Sequence, residues 1–125
     1  MYNINIKRDV PLKVVFYETQ MKNQPCRDFL LELDNDDRRE VGADIFSVQK
    51  GFPLGLPLCR KIMKDLWEIR SDVSDGICRV FFTVSNNTIV LLHGYKKKSQ
   101  KIPLEEFEIA KSRLNDFKEQ KKWKE

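Results

Sequence analysis

No stretch of this sequence approaches the roughly 18 consecutive apolar residues that a membrane-spanning helix needs, and the opening MYNINIKRDV lacks the apolar centre of a secretion signal. The expectation is a cytoplasmic protein. Cysteine is scarce: Cys26, Cys59 and Cys78 are odd in number, widely spaced and contain no C-x-x-C pair, which argues against a disulfide framework or a cysteine zinc site. They are expected to be reduced and mostly buried. Histidine is scarcer still, since His93 stands alone and excludes a zinc site built on several histidines. No G-x-G-x-x-G or G-K-[ST] loop is present to cradle nucleotide phosphates, and no G-x-S-x-G elbow presents a nucleophilic serine. Neither a metal nor a cofactor is therefore expected. Repeats and low-complexity tracts are also missing.

What is present is a chain of 125 residues, 41% hydrophobic and 34% charged, which suits one compact domain over 1–125. The net charge of +4 is modest, but it is unevenly spread. Acidic residues Glu32, Asp34, Asp36 and Asp37 gather early, whereas Lys96, Lys97, Lys98 and Lys101 crowd one short segment. A local basic surface attracts polyanions or an acidic protein partner.

Lys13–Glu18 is short and rich in β-branched and aromatic residues, as a strand requires. Pro25 then opens a helical pattern with Cys26, Phe29, Leu30 and Leu33 at i, i+3, i+4 and i+7. Asp34 to Asp37 break and recap the chain, and Val41, Ile45 and Val48 mark a second helix that Gly51 and Pro53 end. After the loop GFPLGLPL come four β-like pieces without an intervening helix: Cys59–Met63, Leu66–Arg70, Ile77–Val84 and Thr88–Tyr95. Ser85-Asn86-Asn87-Thr88 has the form of a two-residue hairpin, because asparagine accepts the positive φ of a primed turn. With Ser85 paired to Thr88, one sheet face carries Cys78, Val80, Phe82, Val84, Ile89 and Leu91, and the other carries Arg79 and Phe81. Such a sheet can cover one face with helices and leave the other for a ligand. Leu104, Phe107, Ala110, Leu114 and Phe117 place a third amphipathic helix after Pro103, with residues 118–125 expected to fray because little but Trp123 remains to be buried. The fold class is α+β: a small antiparallel sheet, two N-terminal helices and a C-terminal helix.

The candidate site begins with arginines on strands. Arg79 lies inside an apolar run and Arg70 ends the preceding strand. A guanidinium stays charged, so Arg79 must meet a carboxylate such as Glu68, reach water, or face an anion. The next strand runs into Tyr95, Lys96, Lys97, Lys98, Ser99, Gln100 and Lys101. Ammonium groups beside an aromatic ring suit RNA, since they neutralise phosphates while the ring stacks on an unpaired base. A solvated basic loop is the alternative. His93 has the pKa range of a general acid or base, but the hairpin register aligns it with Ile89 and Leu91 on the helix-covered core face.

The ordered set Leu66-Trp67-Glu68-Ile69-Arg70, Cys78-Arg79-Val80-Phe81-Phe82, Leu91-Leu92-His93-Gly94-Tyr95 and Lys97-Lys98-Ser99-Gln100-Lys101-Ile102-Pro103 resembles the phage-derived branch of the RelE/HigB toxin superfamily. A final E-I-x-x-A-x-x-R-like helix, here Glu108-Ile109-Ala110-Lys111-Ser112-Arg113, completes it, so the likeness spans about residues 13–117. The resemblance implies a microbial-ribonuclease-like fold and a toxin that cleaves mRNA on the ribosome, held in check by a helix-turn-helix antitoxin. It also implies catalytic roles for Arg70, Arg79 and Lys97, with His93 as a further candidate in proton transfer. Tyr95, Lys96, Lys98, Gln100 and Lys101 would contact RNA. Ser99 and Cys78 depart from the usual threonine and aromatic residue, and no counterpart of a C-terminal catalytic tyrosine is evident. The alternative is an inactive interaction or RNA-binding module of a mobile element.

Overall fold

The computed structural model describes residues 10–52 and 58–124, with side chains through Lys122. Most of the expected Pro/Gly-rich loop and the side chain of Trp123 lie outside the described residues. The elements run β1 (Lys13–Phe16), α1 (Pro25–Glu32), α2 (Asn35–Gly51), β2 (Cys59–Met63), β3 (Leu66–Val73), β4 (Gly76–Ser85), β5 (Thr88–Lys97) and α3 (Leu104–Lys124). The five strands form one sheet in the order β1-β5-β4-β3-β2. The four later strands are antiparallel neighbours, as expected of hairpin connections. β1 adds a parallel edge against β5, with Val14 opposite Ile89 and Phe16 opposite Leu91. That pairing joins distant parts of the chain, and the two helices between supply the crossover that parallel strands need.

The α1–α2 corner shows how local chemistry fixes the helices. Pro25 occupies the first turn of α1, where a missing N–H costs nothing. The Asp34 side chain caps α2 by accepting from the Asp37 N–H at 2.9 Å. Arg38 reaches back to the carbonyls of Leu30, Leu31 and Leu33, satisfying acceptors that the end of α1 leaves open. The resulting corner presents Cys26, Leu33, Val41, Ile45 and Val48 to the sheet, where they meet Ile69, Cys78, Val80, Phe82, Ile89 and Leu91.

The other sheet face is also covered, by α3. Ala110 and Leu114 pack on Leu66, Phe81, Val90, Leu92, Tyr17 and Tyr95. Helix α3 runs from Leu104 through Lys124, and contacts to the rest of the domain hold its later turns. Lys118 pairs with Asp65 at 2.9 Å, Gln120 donates to the Glu18 carbonyl at 3.1 Å, and Lys121 donates to the Ser85 hydroxyl.

The β4–β5 turn has the expected form, with Asn86 and Asn87 at φ of 51° and 60° and Ser85 opposite Thr88. The simple alternation then fails. Phe82 pairs with Leu91 but Phe81 pairs with His93, so Leu92 is an extra residue and β5 carries a bulge. From His93 onward the two faces exchange. His93 therefore points to the α3 side instead of joining Ile89 and Leu91, while Gly94 faces α1, where a Cβ would lie 2.6 Å from a ring carbon of Phe29.

Candidate functional site

Strand alternation puts Glu68 and Arg70 of β3 on the α3 side of the sheet with Arg79 and Phe81 of β4, and Arg70 stands directly opposite Arg79. Like charges so placed repel. Glu68 offsets the repulsion: its carboxylate lies between Arg79 Nε, 3.1 Å from Oε2, and Arg60 Nε, 2.9 Å from Oε1. The Arg79 approach is an ion contact rather than an aligned hydrogen bond, because its N–H does not point along the line to the oxygen. The rest of that guanidinium is held by donation to the carbonyls of Ser99 at 3.0 Å and Gln100 at 2.7 Å. Arg79 and Glu68 have side chains only 1% and 2% exposed. The sheet interior thus contains a closed ion pair that also anchors the segment following β5.

Beside this pair lies a cleft of about 260 Å³ lined by Leu58, Cys59, Arg60, Glu68, Arg70, Arg79 and Gln100. Of the residues expected at a site, Arg70, Arg79 and Gln100 meet here. Arg60 is the group that the sequence pattern missed, although the β2–β3 hairpin sets it opposite Glu68 and so offered a signal. Arg60 and Arg70 remain 60% and 40% exposed. Three arginines against one carboxylate leave the cleft cationic, a setting for an anion. Burial, followed by the Glu68 charge, pushes the Cys59 thiol up to about 11, so it stays protonated and poorly nucleophilic at neutral pH.

His93, Lys97 and Tyr95 belong to a second group beneath α3. Arginine can only donate, so Arg113 Nη1, 3.1 Å from His93 Nδ1, makes that nitrogen the acceptor. The Nε2–H then donates to Glu106 at 2.7 Å, which defines a neutral ring. Burial lowers the His93 pKa foremost and Arg113 lowers it further, against an upward pull from Glu106. Lys97 approaches Glu105 and Glu106 at 3.6 Å each. Neither His93 nor Lys97 lines the cleft. Tyr95 is buried opposite Arg79, its ring stacked near Phe81 and His93 at centroid distances of 6.1 and 6.0 Å. Burial raises its hydroxyl pKa, and the adjacent Arg79 opposes the rise.

The lysines separate by position. Lys96 lies on the α1–α2 side, paired with Asp75 at 2.6 Å and with buried Asp37 at 3.2 Å. Asp37 also accepts from the Ser74 N–H and hydroxyl, and the Ser74 N–H foremost holds its carboxyl below the usual range. Lys98 and Lys101 are exposed on the segment that leads from β5 to α3.

A mixed sheet packed between helices, with a small arginine-lined cleft on one face, defines a small α+β protein with an anion-attracting site. The chain matches the family described as phage derived protein Gp49-like (DUF891) over residues 28–115, and it belongs to that family. This family is part of the RelE/HigB-like toxins and is generally toxin-like, which implies a cognate antitoxin. The matched span includes every residue that lines the cleft. Comparison with curated proteins gave no match. Among the described residues, no helix is long and apolar enough to cross a membrane.

Proposed function

We propose that this protein is the toxin of a toxin–antitoxin pair of the HigB-like branch, a cytoplasmic, metal-independent endoribonuclease that cleaves mRNA on the ribosome and arrests translation. The observation that supports this most is the meeting of Arg70, Arg79 and Gln100, with Arg60, in one cationic cleft. In the reaction, the RNA 2′-oxygen forms a bond to the adjacent phosphorus as the bond to the 5′-oxygen breaks. The 2′-hydroxyl proton ends on that leaving oxygen, giving a cyclic phosphate and a 5′-hydroxyl. The exposed arginines of the cleft stabilise charge on the phosphate oxygens, and Lys98, Gln100 and Lys101 guide the backbone. A site rich in arginine is a weak proton-transfer catalyst, so a substrate oriented by the ribosome supplies part of the acceleration. The antitoxin carries a helix-turn-helix domain and docks on the toxin.

The test is to induce the protein in a bacterium and follow growth and transcript integrity. Growth arrest with mRNAs cut inside their translated regions is expected, whereas normal growth at verified folded expression contradicts the proposal. One observation favours a second reading, a module that binds RNA or a partner without cutting. His93 and Lys97, the candidates for proton transfer, are engaged with α3 and do not line the cleft. RNA binding to the purified protein with no fragments on translating ribosomes would select it.

A further inference from the structure

We propose that Arg60 and Arg70 are the ligand-contacting groups of the cleft, clasping a single phosphate, and that Arg79 is a positioning residue that does not touch it. This deepens the ribonuclease reading and rests on it for the identity of the substrate, but not for the presence of a phosphate site. Each nitrogen of the Arg79 guanidinium faces a protein oxygen, from Glu68, Ser99 and Gln100, and the side chain is 1% exposed. An anion could reach it only after those partners let go, which would leave the buried Glu68 carboxylate with Arg60 alone.

Arg60 and Arg70 differ in every respect that matters for binding. Among the described residues Arg60 engages Glu68 through Nε, and it is 60% exposed. Arg70 is 40% exposed, and among the described residues its side chain pairs with Asp72 at 3.9 Å, which is itself 86% exposed. Their planar donor forks match phosphate oxygens. One of the three arginine charges is cancelled by Glu68, leaving two for the ligand. The cleft, at about 260 Å³, is smaller than the roughly 300–1,000 Å³ of pockets that enclose a whole drug-sized molecule. With no aromatic ring among the described residues that line it, the cleft offers a phosphate two guanidinium forks and a base no stacking partner, so sequence preference is set elsewhere. Arg79 acts through others, fixing Glu68, which orients Arg60, and the Gln100 segment, which walls the cleft.

Inorganic phosphate is titrated into the isotopically labelled full chain at low ionic strength, with matched sodium chloride as control, and amide shifts are followed by NMR. Saturable shifts are expected near Leu58–Arg60, Glu68–Arg70 and Ser99–Gln100. Arg60→Ala and Arg70→Ala each weaken binding about tenfold, and the double variant abolishes it without loss of fold. Arg39→Ala on α2 changes nothing. Arg79→Lys, which keeps a charge beside Glu68, binds phosphate within about threefold of wild type at a lower melting temperature. Unchanged affinity in the folded double variant overturns the proposal, as does loss of binding in folded Arg79→Lys. If the phosphate results hold and no RNA is cut on ribosomes, the cleavage reading fails and the clamp stands. If RNA is cut equally well by the double variant, the clamp alone fails.

Discussion

The two faces of the sheet are built from different interactions. Beneath α1 and α2 the contacts are mostly apolar, with Val41, Val48, Ile69, Phe82 and Ile89 fully enclosed and Asp37, paired with Lys96, as a buried charge. Beneath α3 the same sheet buries Glu68, Arg79 and His93 among Phe81, Leu92 and Tyr95. Apolar burial is non-directional and tolerates small shifts, whereas a buried charge is held only where its partners stand at the right distance. The first face therefore carries most of the fold, and the second spends stability to hold charged groups in place. The cleft opens where α3 and the Ser99–Gln100 segment leave β3 and β2 uncovered.

The comparison breaks most visibly at Arg79. Arg79→Ala takes one of two guanidinium partners from the buried Glu68 carboxylate and leaves the Ser99 and Gln100 carbonyls without their donor, and it should cost about 3–5 kcal/mol by urea unfolding. Glu68→Leu with Arg79→Met should recover most of that loss. Phe82→Ala on the opposite face should cost a similar 3–5 kcal/mol or so through its cavity, with no such rescue by a charge-removing partner. If the double variant is no more stable than Arg79→Ala, the loss lies in packing and the contrast between the faces collapses. The same result bears on function, because lost activity in Arg79→Ala reports folding together with chemistry.

A smaller effect sharpens the role of the bulge. Since a Cβ on Gly94 would meet Phe29 at 2.6 Å, Gly94→Ala should cost about 1–3 kcal/mol, and Phe29→Leu should relieve part of it. Additive costs in that double variant would mean that α1 does not approach β5 this closely. Smaller again, Asp34→Ala removes the α2 cap and should cost about 1 kcal/mol.

The smallest change is a pH dependence confined to the α3 face. The folded-state pKa of His93 is lowered, so the unfolded chain binds the proton more readily. The stabilising contribution is therefore complete above the unfolded value near 6.5 and is lost as pH falls through the lower folded value. Urea unfolding of wild type and His93→Gln between about pH 5 and 7 should show a rise with pH in the former that is flattened in the latter. Parallel profiles would remove His93 as its source.

The apolar face was legible in the sequence because helical and strand periodicity encode it directly. Cys26, Phe29, Leu30 and Leu33, then Val41, Ile45 and Val48, marked α1 and α2, and Asn86-Asn87 marked the turn that the structure contains. Three features were not legible. The parallel pairing of β1 with β5 has no local signature, since its partner lies some seventy residues away. The extra residue at Leu92 is invisible to a period-two pattern, and it moved His93 to the other face. The docking of the last turns of α3 depends on Glu18, Asp65 and Ser85, all distant in sequence. The site was half legible: strand arginines stood out against apolar neighbours, but whether Arg79 faced an anion or Glu68 was a question of pairing. Arg60 required the β2–β3 register, and Lys96 and Lys97 fall on opposite faces by strand alternation, where Asp37 and Asp75 hold the one and Glu105 and Glu106 the other.

The proposed action of the arginine cleft is on RNA phosphate. It is tested most directly by adding purified wild type, Arg70→Ala and Arg39→Ala to a reconstituted translation reaction and mapping mRNA ends by primer extension. Cuts within the translated region are expected for wild type and Arg39→Ala, and at least about a hundredfold less cutting by folded Arg70→Ala, as for loss of a group that stabilises transition-state charge. Equal cutting by Arg70→Ala, or an intact message with folded wild type, would contradict it.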